Sequence, residues 1–150
     1  MKRNKGFTVI ELMAVIAIVS ILAVIALGAY QDYIVRSKVG EGMVFAAEAK
    51  TSVSEYYVTN NKVMPQNNAE AGLALATQYN QQTYISSLEV TRTPKEGTIY
   101  VTFKIPGSTA DGKQLLLKPT VDAKGYVTWI CIPPTVNGIE LKHVPANCRG

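Results

Sequence analysis

The chain has 150 residues, 15 Lys plus Arg against 11 Asp plus Glu, a formal charge of +4 and an apolar fraction of 47%. That length fits one domain, and the apolar fraction excludes a disordered chain. Two Cys exclude a disulfide-dense miniprotein, and a single stretch long enough to span a bilayer excludes a polytopic membrane protein. A basic total is compatible with a nucleic-acid or anionic-membrane partner, so the location of the charges decides what it means.

Residues 2–5 read Lys2-Arg3-Asn4-Lys5, a short basic head. From Leu12 to Ala29, a run of 18 residues, Ser20 is the only polar side chain and Gly28 sits near the end. Counted from Phe7, the apolar stretch is about 35 Å of helix at 1.5 Å per residue, enough to cross a hydrocarbon core. The basic head then stays cytoplasmic by the positive-inside rule. A cleaved secretory signal is the competing reading. The run is long for its apolar core, no clear A-x-A site ends it, and Tyr30, Tyr33 and Arg36 follow like interfacial anchors. Glu11 fits neither reading, since a carboxylate inside a membrane helix costs about 2.5 to 3.5 kcal/mol. Position alone leaves two accounts of it: a side chain that snorkels to the interface, or a functional group that needs a partner.

Lys5-Gly6-Phe7-Thr8-Val9-Ile10-Glu11-Leu12-Met13 resembles the N-terminal motif of type IV pilins: a short basic leader ending in Gly, then Phe, apolar residues and a Glu at a fixed spacing. The likeness is close over about residues 5–38, through Tyr30-Gln31-Asp32-Tyr33 and Arg36-Ser37-Lys38, and the six-residue leader resembles the type IVa subclass. The resemblance implies the major structural subunit of a type IV pilus, a helical homopolymer used for adhesion, twitching motility and DNA uptake in natural transformation. It implies that a membrane prepilin peptidase cuts between Gly6 and Phe7 on the cytoplasmic side and N-methylates Phe7. Glu11 then meets the positive amine of Phe7 on a neighbouring subunit, and pairing with a cation is the available remedy for a carboxylate in an apolar core. The implied location is the inner membrane of a Gram-negative bacterium, single-pass, before assembly, and the extracellular pilus after it. The assembly platform and minor pilins are further implied partners. Many relatives have Pro where this chain has Gly28, which weakens a helix but keeps its N–H. The expectation is a continuous helix in the monomer, with loosening near Gly28 confined to the filament.

From Gln31 to about Asn60, Val35, Val39, Met43, Ala46, Val53 and Tyr57 recur at helical spacing, with Gly40 and Gly42 as weak points. This amphipathic half needs a sheet to cover it. Asn60 to Tyr84 is rich in amides and reads as a connecting loop lying against the sheet, with a short helical turn over Ala69–Tyr79. Strands are expected at Ile85–Thr91, Thr98–Ile105, Gln114–Val121 and Tyr126–Ile132, separated by turn signals, an antiparallel meander. The fold class is α+β: a long N-terminal α-helix, apolar and protruding in its first half and packed in its second on a four-stranded antiparallel β-sheet. The expected divisions are a leader at 1–6, a transmembrane and filament-core helix at 7–30, an amphipathic helix at 31–61 and a globular head at 62–150. Cys131 and Cys148 enclose 16 residues. An extracytoplasmic head favours a disulfide between them, and in type IV pilins the corresponding bond pins a C-terminal loop to the last strand. That loop is expected to be the exposed adhesive surface.

No phosphate loop, dinucleotide fingerprint, HExxH or G-x-S-x-G motif occurs, and His143 is the only His. An enzyme, a metal site and a cofactor are therefore not expected. Two alternatives to a major pilin stand: a minor pilin or type II secretion pseudopilin, and a DNA-binding receptor subunit of the pilus. Direct DNA binding has weak support, because the nine basic and six acidic residues from Lys62 onward are scattered. Removing residues 1–6 removes Lys2, Arg3 and Lys5 and leaves 12 basic against 11 acidic groups. The basic total thus belongs mainly to the leader.

Overall fold

The computed structural model describes residues 6–149; the basic leader positions Lys2, Arg3 and Lys5, with the rest of 1–5, and Gly150 lie outside the described residues. Helix α1 spans Val9–Thr59, 51 residues without a proline. Four strands follow: β1 (Ile85–Thr91), β2 (Thr98–Phe103), β3 (Gln114–Val121) and β4 (Val127–Ile132). The chain forms two compact units, Met1–Ile34 and Val35–Gly150.

In the first unit every described residue from Gly6 to Gln31 is exposed. Leu, Ile, Val, Met and Ala occupy all faces of α1 there, so no stripe distinguishes one side from another. This is the pattern of a helix whose environment is apolar all round. The stretch is long and apolar enough to cross a membrane. Within it the Ser20 hydroxyl donates to the Ile16 carbonyl at 2.7 Å, so the helix satisfies that polar group itself. The helix runs unbroken through Gly28.

In the second unit α1 buries Val35, Val39, Gly42, Ala46, Ala49, Val53 and Tyr57, one residue every three or four. The stripe differs from the expected one at Met43, which is only half-buried; Gly42 takes the contact position instead. A methyl group at Gly42 would stand 2.8 Å from Phe103 Cε1 and 3.0 Å from Ile85 Cγ2, whereas one at Gly40 would meet nothing within 4 Å. Gly42 is therefore where the helix touches the sheet. Only Gly40 is the simple weak point expected of both.

The sheet runs β1-β2-β3-β4, every neighbouring pair antiparallel. Alternation sends Leu88, Val90, Ile99, Val101, Phe103, Leu115 and Leu117 into the core with the α1 stripe, all nearly or fully inaccessible. Ile85 joins them through a bulge between Ile85 and Ser87. Pro119 lies past Leu117, the last β3 residue with a β2 partner, where β3 has a neighbour on one side only. Proline tolerates such a position.

Two strands are shorter than expected, each because a carboxylate competes for backbone amides. Asp111 Oδ1 accepts the Ile105 N–H at 2.9 Å, so β2 stops at Phe103. Asp122 Oδ1 accepts the N–H groups of Lys124 and Tyr126 at 2.9 and 2.8 Å, so Tyr126 belongs to the turn and β4 begins at Val127. In the connecting loop the expected helical turn is a 3₁₀ helix at Ala76–Gln81. The loop is fastened to the sheet by buried Asn68. Its Nδ2 donates to Leu88 O at 2.8 Å and Ala74 O at 2.7 Å, and its Oδ1 accepts the Val90 N–H at 2.6 Å.

Candidate processing and assembly site

Three described residues precede the helix. Gly6, Phe7 and Thr8 are non-helical and exposed, Phe7 to 88%. A side chain at Gly6 would meet nothing within 4 Å among the described residues. Phe7 stands one residue before a helix cap.

Thr8 is that cap. Its Oγ1 accepts the Glu11 N–H at 3.3 Å, and Glu11 Oε2 accepts the Thr8 N–H at 2.8 Å and the Thr8 hydroxyl at 2.7 Å. This is the reciprocal capping box of a Thr-x-x-Glu sequence, which satisfies two otherwise orphaned groups at a helix start. A carboxylate in the first turn is also favoured by the helix dipole. Sequence reasoning singled out Glu11 and missed Thr8, although the Thr-x-x-Glu spacing before an apolar run was the signal. Glu11 is exposed, within one helical turn of Phe7 in sequence. Cleavage at Gly6–Phe7 would create a positive amine adjoining the capping box. Gly28 lies exposed in the continuous helix, with open space where a Cβ would be.

At the other end of the chain Cys131 and Cys148 are bonded, with Cα atoms 4.5 Å apart. Cys148 is fully buried, so the bond ties the C-terminal loop to β4 from the core side. Further bonds set the loop's shape. Gln114 N–H donates to Asn137 O at 2.9 Å and Ile139 N–H to Gln114 O at 3.0 Å. Arg149 donates twice to Val144 O. The buried His143 places Nε2 3.1 Å from Thr109 Oγ1. A hydrogen bond from Thr109, supported by Lys142, holds the Glu140 carboxyl below the usual carboxylate range. Between Glu140 and Lys142, which pair at 3.5 Å, Leu141 is half exposed. Among the described residues no group of three or more His, Cys, Asp or Glu side chains is placed to hold a metal ion.

Comparison with known proteins places both ends of the chain. Residues 35–149 match the pilin family of bacterial filaments, and residues 1–27 match the prokaryotic N-terminal methylation motif. The chain is 42% identical to the fimbrial protein EcpC of Eikenella corrodens, over 97% of this chain and 91% of that one. It is 38% identical to the type IV major pilin protein PilE1 of Neisseria gonorrhoeae, over 97% and 94%. It is 39% identical to a fimbrial protein of Neisseria meningitidis, again over 97% and 94%. With the apolar helix, the four-stranded antiparallel sheet and the C-terminal disulfide already in place, these matches show that the chain is a filament subunit belonging to the type IV pilin family.

Proposed function

We propose that this chain is the major subunit of a type IVa pilus, made as a prepilin. The observation that carries the reading is a helix start at which Glu11, the only acidic or basic residue among the exposed residues 6–31, follows an exposed, non-helical Gly6–Phe7 bond. Prepilin peptidase removes residues 1–6 and methylates the amine of Phe7. That amine, on one subunit, meets Glu11 of the next. An ion pair in apolar surroundings is costly to leave half-made, so the pairing fixes the axial register of an added subunit. The 7–30 stretch anchors the subunit in the inner membrane and then lines the filament core. The 31–61 stretch carries the head at 62–150, and the assembled pilus lies outside the cell. Adhesion, twitching motility and DNA uptake are its uses, and the assembly platform and minor pilins its partners.

The test is the chain recovered from sheared surface filaments. The expected result is that it is their principal polypeptide and begins at N-methylated Phe7, by intact mass and terminal sequencing. A chain still beginning at Met1 would refute the processing step. A chain present only in traces within filaments of another protein would make it a minor pilin, and one confined to a secretion complex would make it a pseudopilin.

A further inference from the structure

The nine basic and six acidic residues from Lys62 onward are scattered in sequence, but the fold gathers their surplus at one end of the head. Helix α1 gives way to two left-handed residues, Asn61 and Lys62 (φ 50° and 62°), and the Lys62 N–H closes the helix on Tyr57 O at 3.0 Å. Both hairpin turns at this end of the sheet meet that point. A Cβ on Gly97, in the β1–β2 turn, would stand 3.0 Å from Met64 Sδ, and one on Gly125, in the β3–β4 turn, 3.4 Å from Lys62 Nζ. Lys62, Arg92, Lys95 and Lys124 therefore share one end of the head. Lys118 lies on the adjoining outer face of the sheet, since its neighbour Leu117 is in the core and pairs with Ile99 near the start of β2.

These five cations stand against two acids, Glu96 and Asp122. The other four basic and four acidic residues from Lys62 onward cancel, as do Lys50 and Glu55 on the nearby part of α1. Glu96 pairs with Arg92 at 4.0 Å, and among the described residues no carboxylate forms an ion pair with Lys62, Lys95, Lys118 or Lys124. Asp122 turns Oδ1 to two amides of its own turn, those of Lys124 and Tyr126. That turn fixes the backbone under Tyr126, which is 67% exposed and two residues from Lys124.

Cations around an exposed aromatic ring are what an unpaired nucleic-acid strand requires: ammonium groups for its phosphates and a flat face for a base. A duplex keeps its base faces stacked inside, and a sulfated polysaccharide has none, so the ring favours a single strand. We propose that this end of the head binds single-stranded DNA, with phosphates on Lys62, Lys95, Lys118 and Lys124 and a base stacked on Tyr126. The proposal deepens the reading of the chain as a pilus subunit, on which it rests for the site lying outside the cell.

The experiment uses full-length chain in neutral detergent and a fluorescent oligodeoxythymidine, with binding followed by anisotropy across a salt series. The expected slope of log affinity against log salt is about −3, at about −0.7 for each of four phosphates. Lys62→Ala with Lys124→Ala should halve that slope, and Lys95→Ala with Lys118→Ala is a second pair with the same expectation should the first not fold. Tyr126→Ala should lower affinity about tenfold at unchanged slope, and Tyr126→Phe should restore it. Lys104→Ala with Lys113→Ala, cations outside this end, should leave both unchanged. Absence of binding at low salt overturns the proposal, as does a slope that Lys62→Ala with Lys124→Ala leaves intact. Equal loss from the Lys104 and Lys113 pair would mean diffuse attraction and overturns it too. Displacement of the oligonucleotide by heparin or by vesicles of anionic lipid, with Tyr126→Ala without effect, would assign the surface to another polyanion and overturn the nucleic-acid assignment. The measurement needs no filament, so failure of the chain to assemble is a different result and refutes the filament reading itself.

Discussion

One helix meets two kinds of surroundings. Before Ile34 its apolar side chains lie on every face and none is buried in its own chain; from Val35 on it buries a stripe of seven residues under its own sheet. The backbone conformation is the same, so the difference lies in who supplies the cover. The second half is completed by intramolecular packing and is paid for in the free energy of folding. The first half leaves its apolar area for lipid or for other copies of itself. A hydrophobic stripe identifies a helix that its own fold completes, and the lack of one identifies a helix completed from outside.

The comparison predicts that substitutions divide cleanly by half, and the largest expected effect lies at the start of the helix. Glu11→Ala should abolish surface filaments while leaving the thermal unfolding of the head unchanged. Normal filament yield from that variant would break the pairing mechanism. In the second unit, replacing Cys131 and Cys148 together by Ser should cost the head about 3 kcal/mol, the chain-entropy value for a loop of this length. Urea unfolding measures it, and a loss below about 1 kcal/mol would show that the hydrogen bonds of the C-terminal loop suffice without the bond.

Two glycines two residues apart sharpen the comparison further. Gly40→Ala should stabilise the head by about 1 kcal/mol, the ordinary helix-propensity gain at an open site. Gly42→Ala forfeits that gain, because overpacking against Phe103 and Ile85 costs about 1 to 3 kcal/mol. Opposite signs in parallel denaturation curves are expected; equal stabilisation would mean that the helix does not approach the sheet there. The smallest effect is electrostatic. Glu140 titrates below the ordinary range because Thr109 hydrogen-bonds its ionised form. A depressed carboxylate contributes stability above its unfolded-state pKa and loses that contribution as pH falls through the folded-state value. Thr109→Val should move the Glu140 midpoint upward in a side-chain NMR titration, and an unmoved midpoint would remove Thr109 as the cause.

The legible parts of the molecule were those set by long patterns. The apolar run from Leu12, the stripe from Val35 and the alternation in Thr98–Phe103 each repeat a simple period, and the Gly-Phe-x₃-Glu spacing is rare enough to be read directly. Single side chains that override a pattern were not legible. Asp111 and Asp122 each took amides from a neighbouring strand, and neither strand's composition showed it. Gly42 counted as a defect because its value is an absent side chain, which only the position of Phe103 reveals. Thr8 lay hidden behind the more conspicuous Glu11. In the loop from Asn60 to Tyr84 many amides looked alike, and nothing local singled out Asn68.

That one amide has a consequence for a protein that accumulates at high local density. The outer edge of β1 would otherwise present Leu88 O and Val90 N–H to any passing extended segment, and bare edges recruit strands without regard to sequence. Asn68 occupies both groups at once and so imitates the next strand. Crowded subunits are thereby steered away from indiscriminate cross-strand aggregation at this edge, and ordered growth does not have to compete there with tangling.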